Sequence, residues 1–234
     1  MTVPPPPWRS APSRRAAKPV LSQASIVRAA LIVLDDEGFD AVTMRRIAQE
    51  LETGPASLYA HVANKDELAE LMLDAVLADI LIPEPDPAHW DEQVKQLVRD
   101  QIHVMAAHRG IARIAWDIPV PVTPNTLKLG EATLALLRAG GLTLKQATFA
   151  GDALALYAKA YAYEASGWTW GEIDQAEADE RGKQMVAYMR SLPAESFPNL
   201  LHVGEFFSAE TAKERLEFAL EAFLAGLKAL AKKN

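Results

Sequence analysis

Apolar residues recur along this chain at separations of three and four, the spacing that lines one face of a helix, and almost nowhere alternate as in a half-buried strand. Prolines fence the periodic stretches, at Pro4 to Pro7, Pro12, Pro19, Pro55, Pro83, Pro85, Pro87, Pro119, Pro121, Pro124, Pro193 and Pro198. Proline lacks an N–H and collides with the preceding turn, so it bounds helices rather than sitting inside them. The spacing predicts a first helix over 22–37, with Ile26, Ala30, Val33 and Leu34 on one face and Gly38 ending it. Short helices are predicted over 44–51, with Thr43 as N-cap, and over 55–61, with Gly54 as N-cap and Pro55 in the first turn. A fourth is predicted over 65–81. After the proline run at 83–87, read as a hinge, helices follow over 88–108, 111–116, 125–139, 143–166, 173–191 and 209–232. The fold class is all-α, a small three-helix unit followed by a larger helical part.

Two of the later helices are apolar on more than one face. The last carries Leu216, Leu220, Phe223, Leu227 and Leu230, and beside them a stripe of small residues at Ala219, Ala222, Gly226 and Ala229. The long helix before it carries Ala147, Gly151, Leu154, Ala158, Ala162 and Ala165. A helix with two apolar faces has more to bury than one neighbour covers. These stripes are expected to pair with their copies in the four-helix bundle of a homodimer.

Composition narrows the function. The 234 residues include no cysteine, which excludes disulfides and thiolate metal sites and suits a reducing compartment, so a cytoplasmic location is expected. No apolar run reaches the ~18 residues that span a bilayer, and no membrane partner is expected. No Gly-x-Ser-x-Gly, no His-Glu-x-x-His and no glycine-rich phosphate loop occurs, so neither an enzyme nor a cofactor or metal site is expected. The net charge of −7 hides an asymmetry: residues 1–34 hold five basic and no acidic groups, and residues 35–67 hold three basic and eight acidic. The leading segment, with Arg9, Arg14, Arg15 and Lys18 among prolines, is read as a flexible basic arm over 1–20, on charge alone a solvated tail, and one able to neutralise phosphates locally.

The run from Thr43 to His61 is a helix, a turn of about four residues and a second helix, with Ile47, Ala48, Leu51 and Leu58 inward. Ala56 and Ser57 are small enough to enter a major groove, and Tyr59, His61 and Lys65 project towards sugar and phosphate. This block resembles the TetR family of bacterial regulators, on Thr43, Arg45, Ile47 to Gln49, Leu51, the Leu58-Tyr59-Ala60-His61-Val62 run, Asn64, Lys65 and Leu68, after a helix ending Glu37-Gly38-Phe39. The later part is similar to the branch containing the tetracycline repressor, at Ala107-His108-Arg109 and the Gly140-Gly141-Leu142 turn. The chain departs from the family pattern at Glu52 and Thr53, where a glycine and an aliphatic residue are usual.

The resemblance implies a helix-turn-helix DNA-binding domain over 21–68 and a ligand-binding and dimerisation domain over 69–234. It implies base-facing roles for Arg45, Pro55, Ala56 and Ser57, and backbone contacts for Thr43, Tyr59, His61 and Lys65. The expected function is a transcription regulator, most simply a repressor, released from a palindromic operator in double-stranded DNA by a small-molecule effector. Aromatic and polar residues gather in the later part, and Arg99, His103, Trp116, Phe149, Tyr157 and Tyr161 are the expected effector contacts. The histidines by which the tetracycline repressor holds a metal-chelated drug align near Leu81 and Ala115, so a mostly apolar or aromatic compound is expected instead. The alternative is a ligand-independent helical adaptor that binds DNA. A cavity of ~300 Å3 or more in the C-terminal core separates the two.

Overall fold

Ser22 opens the first helix with a reciprocal cap: its hydroxyl accepts from the Ser25 N–H at 3.2 Å while the Ser25 hydroxyl accepts from the Ser22 N–H at 2.9 Å. The computed structural model describes residues 21–170, 174–206 and 211–232; the arm expected at 1–20 lies outside them, as does the side chain of Trp168. All described regular structure is helical. The elements are α1 (Gln23–Glu37), α2 (Met44–Glu50), α3 (Pro55–Leu58), α4 (Lys65–Leu77), α5 (Trp90–Ala106), α6 (Ile111–Asp117), α7 (Pro124–Ala139), α8 (Leu144–Thr169), α9 (Gln175–Arg190), α10 (Leu200–Val203) and α11 (Ala212–Ala231). The last turn expected of α3 is a hydrogen-bonded turn instead, with the N–H groups of His61 and Val62 both donating to the Leu58 carbonyl. The pattern missed α10, which is one turn long and follows Pro193 and Pro198.

Helices α1 to α4 close a small core on Ile26, Ala30, Leu34, Ile47, Leu58 and Leu68, each almost wholly buried. The larger core lies where α5 packs against α7 and α8. Val94, Leu97, Val98 and Ile102 of α5 meet Leu136 and Leu137 of α7 and Ala147, Leu154, Ala158 and Ala162 of α8 in one buried cluster. The small residues of α8 therefore face inward. The stripe expected to reach a second copy is the core seam of this one, and the large exposed apolar residues described on α8 are Leu144, Phe149, Leu156 and Tyr163. On α11 the inward seam is Leu216, Leu220, Leu224 and Leu227; Leu230, expected on it, is exposed, and of the small stripe Ala222, Gly226 and Ala229 are exposed while Ala219 is half-buried. Leu224 takes the place expected of Phe223 because 3.6 residues per turn carry the seam one position on.

Ion pairs set the register of α11 on α5. Asp91, Lys95 and Arg99 stand four apart and meet Lys228 at 2.5 Å, Glu221 at 2.6 Å and Glu217 at 2.6 Å. Those partners hold the carboxyls of Asp91 and Glu217 below their usual range.

The proline run is pinned rather than loose. The Asp86 N–H donates to Gln93 Oε1, Gln93 Nε2 donates to the Glu84 carbonyl, and His89 Nδ1 lies 2.7 Å from Asp86 Oδ2. Further back, Asp74 of α4 accepts from the Asn125 N–H at 2.7 Å and its Nδ2 at 2.9 Å, which clamps α4 to the start of α7.

The α5–α6 turn meets the end of α1. His108 Nδ1 lies 2.9 Å from Asp35 Oδ2, with Asp79 and Arg109 the other charged groups nearby. The hydrogen bond to Asp35 raises the His108 pKa above 6.5 against the opposing effect of partial burial. A raised folded pKa means the stabilisation is complete below about pH 6.5 and fades as pH climbs through the folded value. The melting temperature of the wild type should therefore decline across that window by about 1–2 °C more than that of His108→Gln, and parallel pH profiles in a thermal melt would refute this.

Candidate nucleic-acid interface

Thr43 caps α2, its hydroxyl accepting from the Arg46 N–H at 3.1 Å. Arg46 turns back to Glu37 at 2.6 Å and Glu50 at 2.9 Å, which neutralises it and raises its pKa. Its neighbour Arg45 is exposed and enters no ion pair among the described residues. Of the two arginines, Arg45 is the one without an acidic partner among the described residues.

The turn after α2 has the hydrogen bonds of a Schellman motif: the Glu52 N–H donates to the Gln49 carbonyl at 3.0 Å and the Thr53 N–H to the Ala48 carbonyl at 2.9 Å. That motif needs a left-handed residue, and Glu52 supplies it at φ 48. The departure from the family pattern thus leaves the turn intact and places a side chain where glycine is unstrained. An L-residue there costs about 1–2 kcal/mol, partly offset by the chain entropy a glycine would add. Glu52→Gly should stabilise the protein by about 0.5–1 kcal/mol and raise the melting temperature by about 1–4 °C. A lower melting temperature would show that the Glu52 side chain contributes more than the strain removes.

Leu58 anchors α3 in the core while Pro55, Ala56 and Ser57 stay exposed around it. Tyr59 is 53% exposed and His61 is exposed beside it. The His61 carbonyl accepts from Gln23 Nε2 at 3.3 Å, which ties the exit of α3 to the start of α1. Asn64 caps α4 by accepting from the Glu67 N–H at 2.8 Å, and the Glu67 carboxylate accepts from the Ala63 N–H. This fixes the start of α4 and Lys65 upon it, whose ammonium rests 5.3 Å from the centroid of the Phe39 ring. The eight residues expected to touch DNA are thus all exposed on one helix-turn-helix and its flanks. Glu67 was missed as a positioning residue, although Asn-x-x-Glu ahead of an apolar run signals such a cap.

The expected effector residues do not converge. Arg99 is held by Glu217 and Glu92 in the α5–α11 ladder, and His103 is exposed on α5. Trp116 and Phe149 are 60% and 64% exposed. Tyr157 and Tyr161 do come together, ring centroids 6.0 Å apart, with the Tyr161 hydroxyl donating to the Ala212 carbonyl at 2.8 Å. None of the six lines either of two cavities found elsewhere. One, of about 380 Å3, lies between the α1–α4 unit and α6, with Phe39, Lys65, Met72, Ile114 and Ile118 among its walls. The other, of about 200 Å3, lies between the end of α4 and α7, walled by Leu77, Ile80 and Leu129 among others. The first exceeds 300 Å3 but sits at the junction, not inside the C-terminal core. No described helix is long and apolar enough to cross a membrane.

Two family models match the chain. The model for bacterial regulatory proteins of the tetR family covers residues 26–72, and that for the tetracyclin repressor-like C-terminal domain covers residues 82–231. An HTH-type transcriptional regulator of Saccharopolyspora erythraea is 31% identical over 150 residues, 64% of this chain and 63% of its own length. The HTH-type transcriptional repressor DrrR1 of Streptomyces coeruleorubidus is 34% identical over 134 residues, 55% of this chain and 48% of its own. The chain thus spans less than two thirds of these curated relatives. Among solved structures, apo ActR from Streptomyces coelicolor superposes with a TM-score of 0.82 at 45% identity, over 91% of this chain and 97% of ActR. ActR has also been crystallised with actinorhodin and with (S)-DNPA.

Proposed function

The chain belongs to the TetR family of bacterial regulatory proteins, and on that premise we propose that it is a homodimeric repressor that leaves a palindromic operator when a small molecule binds. The observation that carries this reading is the outward presentation of Ser57, Tyr59 and His61 from a helix whose Leu58 is wholly buried. Arg45, Pro55, Ala56 and Ser57 would face bases, and Thr43, Tyr59, His61 and Lys65 the backbone. The arm at 1–20 would add phosphate contacts, residues 21–68 would form the reading head, and 69–234 the sensing and dimerising part. The exposed small stripe of α11 together with Phe149, Leu156, Tyr163 and Phe218 offers a face for a second copy. Such a dimer would hold two copies of α3 about 34 Å apart.

Repression is supported by the similarity to DrrR1, a transcriptional repressor, and a bound effector by the ActR complexes. We take the effector to be mostly apolar or aromatic, with the paired rings of Tyr157 and Tyr161 as contacts. The drug-chelate mode is disfavoured because Leu81 and Ala115, which align near the tetracycline repressor's histidines, have aliphatic side chains that cannot ligate a metal. Selecting a duplex from a random pool and following fluorescence anisotropy tests the whole reading. A palindrome should be selected, actinorhodin should release it, and magnesium–tetracycline should not. Selection of no duplex would overturn the regulator reading, and a palindrome that no compound releases would favour the adaptor.

A further inference from the structure

Among the described residues, the reading head joins the rest of the chain chiefly at two places. One is α4, whose first turn carries Lys65 and whose later turns enter the large core. The other is the α5–α6 turn. There Asp35 of α1 receives two hydrogen bonds from consecutive residues, from His108 Nδ1 at 2.9 Å and from the Arg109 N–H at 3.0 Å. Gly110 follows at φ 74, so close that a Cβ would lie 3.3 Å from Leu34 and 3.4 Å from Phe39. Arg113, in the first turn of α6, sets its guanidinium 4.1 Å from the centroid of the Phe39 ring. The end of α1 and the turn after it are thus gripped by one short stretch of chain, residues 108–113.

The grip bears on the recognition helix because α1 is the floor of the head. Ile26, Ala30 and Leu34 lie in the same core as Leu58 of α3, and Gln23 holds the His61 carbonyl. Apolar helix contacts, as between α4 and α6, let one helix slide on another by a fraction of an ångström. A carboxylate receiving two hydrogen bonds does not, since both bonds fail on a small lateral shift.

We infer that the His108–Arg113 stretch, acting through Asp35 and Phe39, is a second lever on the reading head, which orients α1 in parallel with α4 and so sets the separation of the two recognition helices. The inference rests on the dimeric regulator reading above. Movement of α6 in response to an effector must then carry α1 with it or break the grip, and either outcome changes the spacing of half-sites the dimer accepts.

The test uses the full-length protein and the palindrome selected from the random pool, re-made with one or two base pairs added or removed at its centre. The wild type should bind one spacing much more tightly than the others. Asp35→Ala, His108→Gln and Arg113→Leu should each reduce that discrimination by about 2- to 30-fold, with little change for a duplex holding a single half-site. Asp35→Asn, which keeps shape and loses charge, serves if Asp35→Ala does not fold. A loss of affinity equal at every spacing, with discrimination as in the wild type, would overturn the lever and leave the regulator reading standing. Failure of the wild type to select any duplex would overturn both.

Discussion

Ala56→Glu is expected to abolish operator binding without disturbing the fold. Ala56 is exposed in α3, one residue from the Pro55 that starts the helix and two from the Leu58 that anchors it. A glutamate there adds no buried volume and removes no hydrogen bond. It would place a carboxylate where the docked helix meets base edges between two rows of phosphates. Like charges brought together in an interface cost several kcal/mol, so affinity should fall by at least about 100-fold. Arg45→Ala is the graded counterpart. It deletes a cation with no acidic partner among the described residues, and loss of a base-reading arginine costs about 1–3 kcal/mol, or about 5- to 150-fold. Lys65→Ala should weaken all sequences alike and lower the salt slope by about one. Anisotropy titrations over a salt series separate the three, and circular dichroism checks that helix content is kept. Ala56→Glu binding with wild-type affinity would mean that α3 does not enter the groove.

The parts of this interface that could be read from sequence are those where chemistry is local. Proline at the start of α3, threonine at the cap of α2 and the small pair Ala56–Ser57 each act within a few residues of chain. Periodicity placed Ile47 and Leu58 inward because a helix in a small core has one apolar face. The unusual Glu52 was legible as a departure, and its left-handed backbone follows from the two hydrogen bonds that close the turn.

What the pattern did not disclose depends on partners distant in sequence. Arg99 beside an apolar stripe looks like a ligand anchor until Glu217, 118 residues away, is seen across from it. Likewise the small stripe of α8 is compatible with a neighbouring copy or with α5, and only the assembled chain shows α5 lying there. His108 and Arg109 were recognised as a family-like run, but their shared partner Asp35 lies more than seventy residues earlier. Local propensity carries no information about such pairs, which are fixed by how helices with similar apolar faces choose among each other.

The Gly140–Gly141 pair joins both kinds of legibility and yields the largest stability effect. Gly141 has φ 87 and ends α7 in a Schellman turn, with its own N–H on the Arg138 carbonyl and that of Leu142 on the Leu137 carbonyl. Among the described residues a Cβ on Gly141 meets only Ala231, at 3.7 Å, so Gly141→Ala should cost chiefly the backbone penalty, about 1 kcal/mol. Gly140 has an ordinary φ of −74, and nothing in its backbone asks for glycine. Its need is spatial: a Cβ would lie 2.3 Å from Cδ2 and 2.4 Å from Cε2 of Trp90, whose ring is 6% exposed at the start of α5. An indole held in a packed core cannot yield by an ångström without moving α5 or leaving its rotamer. Gly140→Ala should therefore cost about 2–3 kcal/mol and lower the melting temperature by roughly 4–12 °C. The Trp90 ring should also shift, visible as a red-moved tryptophan emission that Gly141→Ala does not share. Because the clash is with the six-membered ring of the indole, Trp90→Leu in the Gly140→Ala background should recover part of the loss, although Trp90→Leu alone destabilises. A Gly140→Ala protein that melts within a degree of the wild type would show that α5 and α7 are free to separate, and the close approach of these helices would then not hold the large core together.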